Sequence, residues 1–325
     1  SLEEVELPDD PLFVIGHWRS GTTYTQFLLS QDPQFAYHNK YQNFFPDNFL
    51  VTEKLFKPFM ERLMKMTSPV RNWNDNVQKN MDFDAPTEFE GALMNEVSKV
   101  TYHWGHVFPQ AFRQYFDKYL FMETISDKEF EDWRRTMIQL LKKAYLHQPG
   151  KRMLIKNPGD TARMKQLLKI FPNARFLFIH RNPYEVFYSN KKLWHNVIEN
   201  ISLQEVTKEE MHKIIIDTYI KLHQQYMQQR ESIPSSQLME VAYEEITSEP
   251  LKVIHNIYNN LNLSGIDKAV PHFENYLKHA LRWKKPRYMF EPNDVELINQ
   301  QWDFAFKEWN YEKLDYRNLQ QSNAG

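Results

Sequence analysis

Strand-like segments, each followed by a helical pattern, constrain the fold of this chain more than any other feature of its sequence. Four short segments have the length and composition of buried strands: residues 12–15, 153–155, 175–179 and 237–242. The first three are nearly continuous apolar runs, the pattern of parallel strands that are covered on both faces. Because parallel strands are joined by helical crossovers, this alternation predicts an α/β fold with a central, mainly parallel sheet flanked by helices.

Helix start signals follow these strands, and one long stretch interrupts them. The sequence predicts helices over residues 22–30, from an N-cap at Asp160 to Ile170, from Pro183 into Lys191, and from Pro250 through Tyr258. Residues 40–148 separate the first two predicted strands and are aromatic and only partly helical. We interpret them as an insertion within a single domain over 1–325, which could roof a pocket at the carboxyl ends of the strands.

The composition excludes several classes of function. The 325 residues contain no cysteine, which excludes disulfides, thiolate metal sites and cysteine nucleophiles. Forty Lys and Arg against 42 Asp and Glu give a net charge of −2, so we expect no nucleic acid as a partner. No apolar run reaches transmembrane length, and the first residues lack the start of a signal peptide. We therefore expect a soluble, cytoplasmic protein without a membrane span, and the sequence leaves its oligomeric state open.

A glycine-bounded loop follows the first predicted strand. Residues 16–23 read Gly-His-Trp-Arg-Ser-Gly-Thr-Thr, in a chain that has only eight glycines. Gly16 and Gly21 allow the backbone to curl with its N–H groups turned inward, and the N-terminus of the next helix adds its dipole. Three hydroxyl side chains add further donors: Ser20, Thr22 and Thr23. This combination predicts a site for a phosphate or sulfate group.

The loop differs from that of the nucleoside triphosphatases at one informative position. Those proteins have the same glycine spacing followed by lysine. Here Thr22 takes the place of the lysine, and the cation of the loop is Arg19. Because a lysine that reaches the β- and γ-phosphates is absent from the loop, the sequence argues against ATP as the ligand.

The loop resembles the 5′-phosphosulfate-binding loop of sulfotransferases that use 3′-phosphoadenosine 5′-phosphosulfate (PAPS). The resemblance implies a three-layer fold related to that of P-loop kinases, PAPS as co-substrate, 3′-phosphoadenosine 5′-phosphate (PAP) as product, and no metal. It also implies that Arg19 both binds the donor and assists catalysis. The other donor-binding residues that it implies in the loop are Ser20, Gly21, Thr22 and Thr23. The arginine resembles the carbohydrate, tyrosylprotein and many bacterial members more than the cytosolic animal enzymes.

A second anion site is predicted within residues 175–190, which read RFLFIHRNPYEVFYSN. Arg181 follows the third strand, and Ser189 lies eight residues later in the helix that Pro183 opens. An arginine fork with a hydroxyl group suits a terminal phosphate. The pair resembles the 3′-phosphate motif of the same family, which implies that Arg181 and Ser189 bind the 3′-phosphate of PAPS.

Three later segments match the family in their sequence order. Lys156 ends the second strand and resembles the lysine that stabilises charge on the bridging oxygen of the donor. Tyr243 resembles a tyrosine that packs near the adenine, although a core position suits it as well. A late basic cluster contains Arg282, Lys284, Lys285 and Arg287. The resemblance suggests cations over the 3′-phosphate there, of which we select Lys285, and a solvated run of charges is the alternative.

The insertion offers four candidates for the base that takes the proton of the acceptor. Glu88, in a Pro-x-Glu segment, resembles the base of carbohydrate-type and tyrosylprotein-type enzymes, and Glu90 is the second choice. If Pro86 opens a helix, the two carboxylates lie about 200° apart and only one faces the acceptor. Cytosolic sulfotransferases use histidine, so His103 and His106 are alternatives. Their spacing does not favour a metal site, since no carboxylate lies at a suitable offset.

The aromatic residues of the insertion bear on the acceptor. We expect most of them to lie in the core and some to line an apolar pocket, which favours a small hydrophobic alcohol such as a sterol or lipid. A carbohydrate hydroxyl is the alternative, because aromatic rings also stack on sugars. Two readings from other classes remain: a P-loop kinase or nucleoside triphosphatase, and a nucleotide-binding protein without catalysis.

Overall fold

A parallel five-stranded sheet forms the centre of the fold. The computed structural model describes residues 2–67, 82–95, 100–279 and 288–315. Its strands are β1 (Leu12–Ile15), β2 (Phe35–Tyr37), β3 (Arg152–Lys156), β4 (Arg175–His180) and β5 (Leu238–Ala242). They pair in the order β2-β3-β1-β4-β5, and every pair of neighbours is parallel. The predicted α/β fold is therefore confirmed.

The four predicted strands are present, and the sequence analysis missed β2. This edge strand has only three residues, Phe35–Tyr37, and pairs with β3 alone. A run so short contains no clear periodicity, so its strand character depends on a neighbour more than 100 residues away in the chain. The long insertion therefore begins after β2, and it separates β2 from β3.

Helices connect and cover the strands. In chain order the α-helices are α1 (Thr22–Leu29), α2 (Lys40–Phe44), α3 (Phe49–Thr67), α4 (Glu90–Asn95), α5 (Trp104–Val107), α6 (Phe112–Tyr115), α7 (Asp127–His147), α8 (Met164–Ile170), α9 (Pro183–Ile201), α10 (Lys208–Arg230), α11 (Tyr243–Ser248), α12 (Pro250–Asn260), α13 (Ile266–His279), α14 (Pro292–Gln301) and α15 (Asp303–Glu308). A π-helical turn, Phe116–Leu120, follows α6 directly. Within the described ranges, none of these helices combines the length and apolar character needed to cross a membrane.

The side chains of β1 alternate between two hydrophobic clusters, one on each face of the sheet. Phe13 and Ile15 belong to the first cluster and Leu12 and Val14 to the second. The first cluster contains residues of α7, α9 and α10, including Trp133, Phe187 and Leu222. The second contains residues of α1, α12 and α13, including Leu28, Ile254 and Phe273. Helices therefore cover both faces of the sheet, which confirms the three-layer prediction.

The predicted N-cap at Asp160 is wrong. Asp160 lies inside a short 3₁₀ helix, Pro158–Ala162, and α8 begins only after Arg163. The buried Asp160 carboxylate accepts hydrogen bonds from Asn157 Nδ2 at 3.0 Å and from Arg163 Nη1 at 3.4 Å. Its Oδ1 is therefore bonded to two side chains, and the carboxylate does not cap α8.

A helix that opens at Pro86 is absent, because long-range pairing extends this segment. Pro86 forms an antiparallel bridge with Asn39, and the next helix, α4, begins at Glu90. Glu88 lies in extended chain between the bridge and the helix. The helical angle between the two glutamates therefore does not apply, and their side-chain directions are decided by the contacts described below.

Candidate active site

The glycine-bounded loop turns tightly between β1 and α1. Gly16, Arg19 and Gly21 have φ angles of 140°, 71° and 106°. A Cβ atom on Gly21 would lie 2.1 Å from Cδ2 of Tyr243, and one on Gly16 would lie 2.4 Å from the carbonyl oxygen of Ile179. Both glycines are required by their positive φ angles and by the close approach of β4 and α11.

The start of α1 offers hydrogen-bond donors to the loop. Gly21 provides no side-chain cap, so the first N–H groups of α1, at Thr22 and Thr23, have no partner within the helix. The Ser20 side chain is 1% exposed, and its hydroxyl has no hydrogen-bond partner in the described part of the chain. A buried, unbonded hydroxyl beside free N–H groups is a donor arrangement suited to an anion.

The two strand–helix junctions named in the sequence analysis are in direct contact. Arg19 Nε donates to Ser189 Oγ at 2.7 Å, and Arg181 Nη1 donates to the carbonyl oxygen of Arg19 at 3.0 Å. Arg181 also forms an ion pair with Glu185 at 2.7 Å, and its guanidinium carbon lies 4.6 Å from the ring centroid of Tyr243. The guanidinium of the later junction therefore faces the glycine-bounded loop.

An ion pair between Lys156 and Glu88 lies next to these junctions. Lys156 is the last residue of β3 and only 2% exposed, and its Nζ lies 2.7 Å from Oε1 of Glu88, whose side chain is 32% exposed. Backbone hydrogen bonds fix the segment on both sides: Thr87 N donates to His38 O, and Phe89 N donates to Lys156 O. Burial acts to raise the pKa of Glu88, but the positive charge and hydrogen bond of Lys156 outweigh it, so the net pKa is below its usual value.

Glu90 lies two residues further on and belongs to a different environment. Its side chain has no exposed surface and forms a buried ion pair with Arg163, with Nη1 to Oε2 at 2.7 Å. Thr101 Oγ1 donates to its Oε1 at 2.8 Å, and Asn157 Nδ2 donates to its Oε2 at 2.9 Å. Both carboxylate oxygens of Glu90 are therefore bonded inside the protein.

The two candidate histidines face the same cavity as Glu88. His103 and His106 both line it, and their ring centroids are 5.2 Å apart. Burial lowers the pKa of His103, although the charges of Glu90 and Glu88 oppose this, and it lowers the pKa of His106 well below the usual value. Both rings are therefore neutral at pH 7. Among the described residues, no group of three or more metal-ligating side chains is present.

One cavity of about 680 Å³ joins these groups. At its polar end lie the loop, Arg181, Ser189, Lys156 and Glu88. Its opposite part is lined by apolar residues, mainly along one side of α9: Leu193, Trp194, Val197, Ile201 and Ile215. The arrangement can therefore hold an anionic group beside a carboxylate and an ammonium, and an apolar group along α9.

The structure leaves one predicted residue undescribed and adds others that the sequence analysis did not name. Lys285 and the rest of the late basic cluster lie outside the described residues, while Tyr288, immediately after them, lines the cavity. Leu193, Val197 and Ile201 repeat every four residues after Ser189. This helical periodicity is the signal that would have placed them on the same face as the serine.

Comparison with known proteins agrees with this geometry. The model of the sulfotransferase family matches residues 11–267. Omega-hydroxy-beta-dihydromenaquinone-9 sulfotransferase Stf3 of Mycobacterium bovis is 27% identical over 312 residues, which is 96% of this chain and 78% of that protein. The protein of the same name from Mycobacterium tuberculosis has the same identity and coverage.

Two solved structures have the same fold at low sequence identity. Sulfotransferase STF9 of Mycobacterium avium has a TM-score of 0.75 and 21% identity, over 96% of this chain and 79% of that one. Sulfotransferase STF1 of M. tuberculosis has a TM-score of 0.66 and 18% identity, over 85% and 73% of the two chains. Because the family model matches most of the chain and the structures agree in fold, this protein belongs to the sulfotransferase family.

Proposed function

We propose that this sulfotransferase moves the sulfuryl group of PAPS to the hydroxyl group of a small, apolar alcohol and releases PAP. The observation that carries the proposal is the contact between the two strand–helix junctions, Arg19 with Ser189 and Arg181 with the backbone of Arg19. Two cations from separate junctions at one end of a cavity suit a nucleotide with anionic groups at two positions. An apolar region at the other end suits the acceptor.

The residues of the two junctions have distinct roles in donor binding under this proposal. The N–H groups at Gly21, Thr22 and Thr23, the Ser20 hydroxyl and the Arg19 guanidinium bind the 5′-phosphosulfate. Arg181 and Ser189 bind the 3′-phosphate, and Tyr243 packs against the adenine. Lys285 remains a predicted further contact to the 3′-phosphate. The proposal needs no metal, because cations of the chain itself neutralise the charges of the donor.

Lys156 acts on the leaving group of the transfer, and Glu88 acts on the acceptor. The acceptor oxygen forms a bond to sulfur while the bond from sulfur to the 5′-phosphate oxygen breaks, and the hydroxyl proton passes to Glu88. Lys156 stabilises the negative charge that grows on the leaving phosphate oxygen. When Lys156 turns from Glu88 to the donor, Glu88 loses the contact that lowers its pKa and becomes a stronger base.

Glu88 is preferred to the other three candidates as the base. Glu90 is fully buried and bonded through both oxygens, so it has no path to an acceptor proton. His103 and His106 line the cavity, but among the contacts of the described residues neither ring touches Lys156 or Arg19. Glu88, in contrast, contacts Lys156 directly. We therefore assign Glu90 to the structure of the site and the histidines to its wall.

The lining of the cavity favours a lipid-like acceptor over a sugar. Leu193, Val197 and Ile201 offer no hydrogen bonds, whereas a carbohydrate needs a polar partner for each of several hydroxyl groups. A relative at 27% identity is named as the sulfotransferase of a menaquinone derivative, which supports an apolar acceptor. A kinase is disfavoured because Thr22 stands at the lysine position of the triphosphatase loop.

The proposal is tested by comparing PAP, 5′-AMP and ATP as ligands in thermal unfolding. We expect PAP alone to raise the Tm strongly, and Arg181→Ala to abolish that rise, while the matched exposed-arginine variant Arg135→Ala retains it. Wild-type protein with PAPS and hexanol should give hexyl sulfate and PAP by mass spectrometry. An equal Tm rise with 5′-AMP contradicts the 3′-phosphate assignment, and absence of sulfated alcohol contradicts the acceptor class.

A further inference from the structure

A second cavity, of about 490 Å³, lies along α10 beside the active-site cavity. Its walls come from the segment after α5, from α6 and the π-helical turn, from α10 and from residues 205–206. Two residues, Phe116 and Thr218, line both cavities. The two spaces are therefore neighbours that share a wall.

The second cavity is lined by apolar and charged side chains, and its three cations are each paired with a carboxylate, while Glu205 and Glu210 add negative charge. Six apolar residues line it: Pro109, Phe112, Phe116, Phe121, Val206 and Ile214. At the rim Arg113 and Lys213 both contact Asp217, at 3.1 and 3.0 Å, and Lys221 contacts Asp117 at 2.7 Å. Because these cations are bonded to carboxylates, the space suits an uncharged apolar group and not an anion.

The wall between the cavities contains one aromatic ring in an unusual backbone segment. Phe116 is the first residue of the π-helical turn, and its ring stacks on that of Phe112 at 3.7 Å. Single π-helical turns widen a helix locally and are frequent at functional sites. The same ring lies 5.6 Å from that of His106 in the active-site cavity.

The apolar side of α9 leads from the active site toward this second cavity. Ser189 and Ile201 are twelve residues apart, so the apolar stripe that follows the serine extends about 18 Å along the helix. The chain just beyond Ile201 turns to place Val206 in the wall of the second cavity. The stripe and the second cavity are therefore consecutive parts of one apolar route.

We propose that the second cavity is a subsite for the distal hydrocarbon of a long-chain alcohol acceptor, with Phe116 as the movable partition. This inference rests on the proposed function, since it extends the same acceptor site. The active-site cavity must contain the nucleotide as well as the reacting hydroxyl, so a long chain needs space beyond it. Rotation of the Phe116 ring joins the two cavities and admits the hydrocarbon, which then contacts Ile214 and Val206.

The first test measures turnover of a short and a long alcohol by variants that fill the subsite. Ile214→Trp and Val206→Trp occupy the second cavity without touching the active-site cavity, and Gln224→Trp adds the same ring at an exposed position of α10. For both filling variants we expect kcat/KM with hexadecanol to fall at least about tenfold, the contribution of about two buried methylene groups. With hexanol, kcat/KM should stay within about twofold of wild type. Gln224→Trp should leave kcat/KM unchanged for both alcohols. An equal fall for both alcohols, or no fall for hexadecanol, overturns the subsite.

A second test does not depend on turnover. Hexadecanol with a diazirine at its far end is irradiated with wild-type protein and PAP, and the labelled residues are found by mass spectrometry. We expect labels within residues 109–121 or 205–218 and their loss in Ile214→Trp. Labels confined to residues 193–201 overturn the subsite. If neither alcohol is sulfated, the acceptor class of the proposed function fails; a label that still reaches the second cavity then shows that the cavity binds hydrocarbon, but overturns its role as an acceptor subsite.

Discussion

Two carboxylate–cation pairs lie near the end of β3 and differ in their exposure to solvent and in the hydrogen bonds that each glutamate accepts. Glu88 and Lys156 face the active-site cavity, and the glutamate remains partly exposed. Glu90 and Arg163 lie beneath them without any exposed surface, and Thr101 and Asn157 add further hydrogen bonds to the glutamate. The two glutamates are separated by a single residue in the sequence, yet only Glu88 faces the cavity.

The difference separates a partly exposed carboxylate, the proposed base, from a buried carboxylate that supports the surrounding structure. The buried pair fixes Glu90, and the backbone hydrogen bond from Phe89 to Lys156 ties the intervening residue to β3. Removing one partner of a buried ion pair costs far more stability than removing one partner of a partly exposed pair, because the remaining buried charge has no access to water. Substitutions in the two pairs should therefore affect different properties, catalysis for the first pair and folding for the second.

The largest expected effect is on turnover in Glu88→Gln. The amide cannot take the acceptor proton, and removal of a general base typically costs about 10²- to 10⁴-fold in rate. The glutamine oxygen can still accept a hydrogen bond from Lys156, so PAP binding and Tm should stay close to wild type. The measurements are kcat with PAPS and an alcohol, and the PAP-induced Tm rise. Undiminished turnover would transfer the role of base to His103 or His106.

The next effect is on stability in Arg163→Met. The variant leaves the Glu90 carboxylate buried without its cation, which typically costs about 3–5 kcal/mol. Denaturant unfolding followed by circular dichroism measures the loss, and Arg135→Met on the exposed side of α7 is the matched control. A loss below about 1 kcal/mol would contradict the view that the second pair supports the fold.

A pH-dependent effect is expected from Asp160, which lies beside the buried pair. Burial raises the pKa of Asp160 to about 7, despite the opposing charge of Arg163. An unfolded aspartate releases its proton near pH 4, while the folded one retains it until about pH 7, so this residue destabilises the fold as pH rises through that window. Relative to Asp160→Asn, wild type should lose at least about 1.4 kcal/mol of unfolding free energy from pH 4 to pH 7, the value of one pKa unit. Parallel curves for the two proteins would contradict the raised pKa.

The smallest effect is expected for Ser189→Ala, in the wall of the cavity next to Arg19. The substitution removes one hydroxyl that bonds Arg19 at 2.7 Å, and a hydrogen bond to a charged group contributes about 1.5–3 kcal/mol at most in a buried site. Because Arg181 remains to bind the 3′-phosphate, we expect the loss to lie at the low end of this range, so that PAP affinity falls by about tenfold, measured by calorimetry. A decrease in unfolding stability without any change in PAP affinity would give the serine a purely structural role.

Much of the proposed donor site was predictable because its signals are local. The glycine spacing of the loop, Thr22 at the start of α1, and the interval from Arg181 to Ser189 all lie within single strand–loop–helix segments. Parallel strands bring such segments to one edge of the sheet, so the sequence analysis expected these residues near one another, and in the structure Arg19 contacts both Ser189 and Arg181. The strand β2 and the helix boundary at Glu90 were not predictable in this way, because each depends on pairing with distant chain.

The sequence by itself determined the parallel sheet, the glycine-bounded turn and the types of residue available for catalysis, since apolar runs, glycine positions and helix starts are properties of short segments. Only the tertiary structure decided which glutamate meets Lys156 and which is enclosed with Arg163. Those contacts join residues 68 and 73 positions apart in the chain, and the contact of Arg19 with Ser189 spans 170. Contacts over such separations form only when the whole sheet and its insertion pack together, so the direction of each carboxylate is a property of the folded chain.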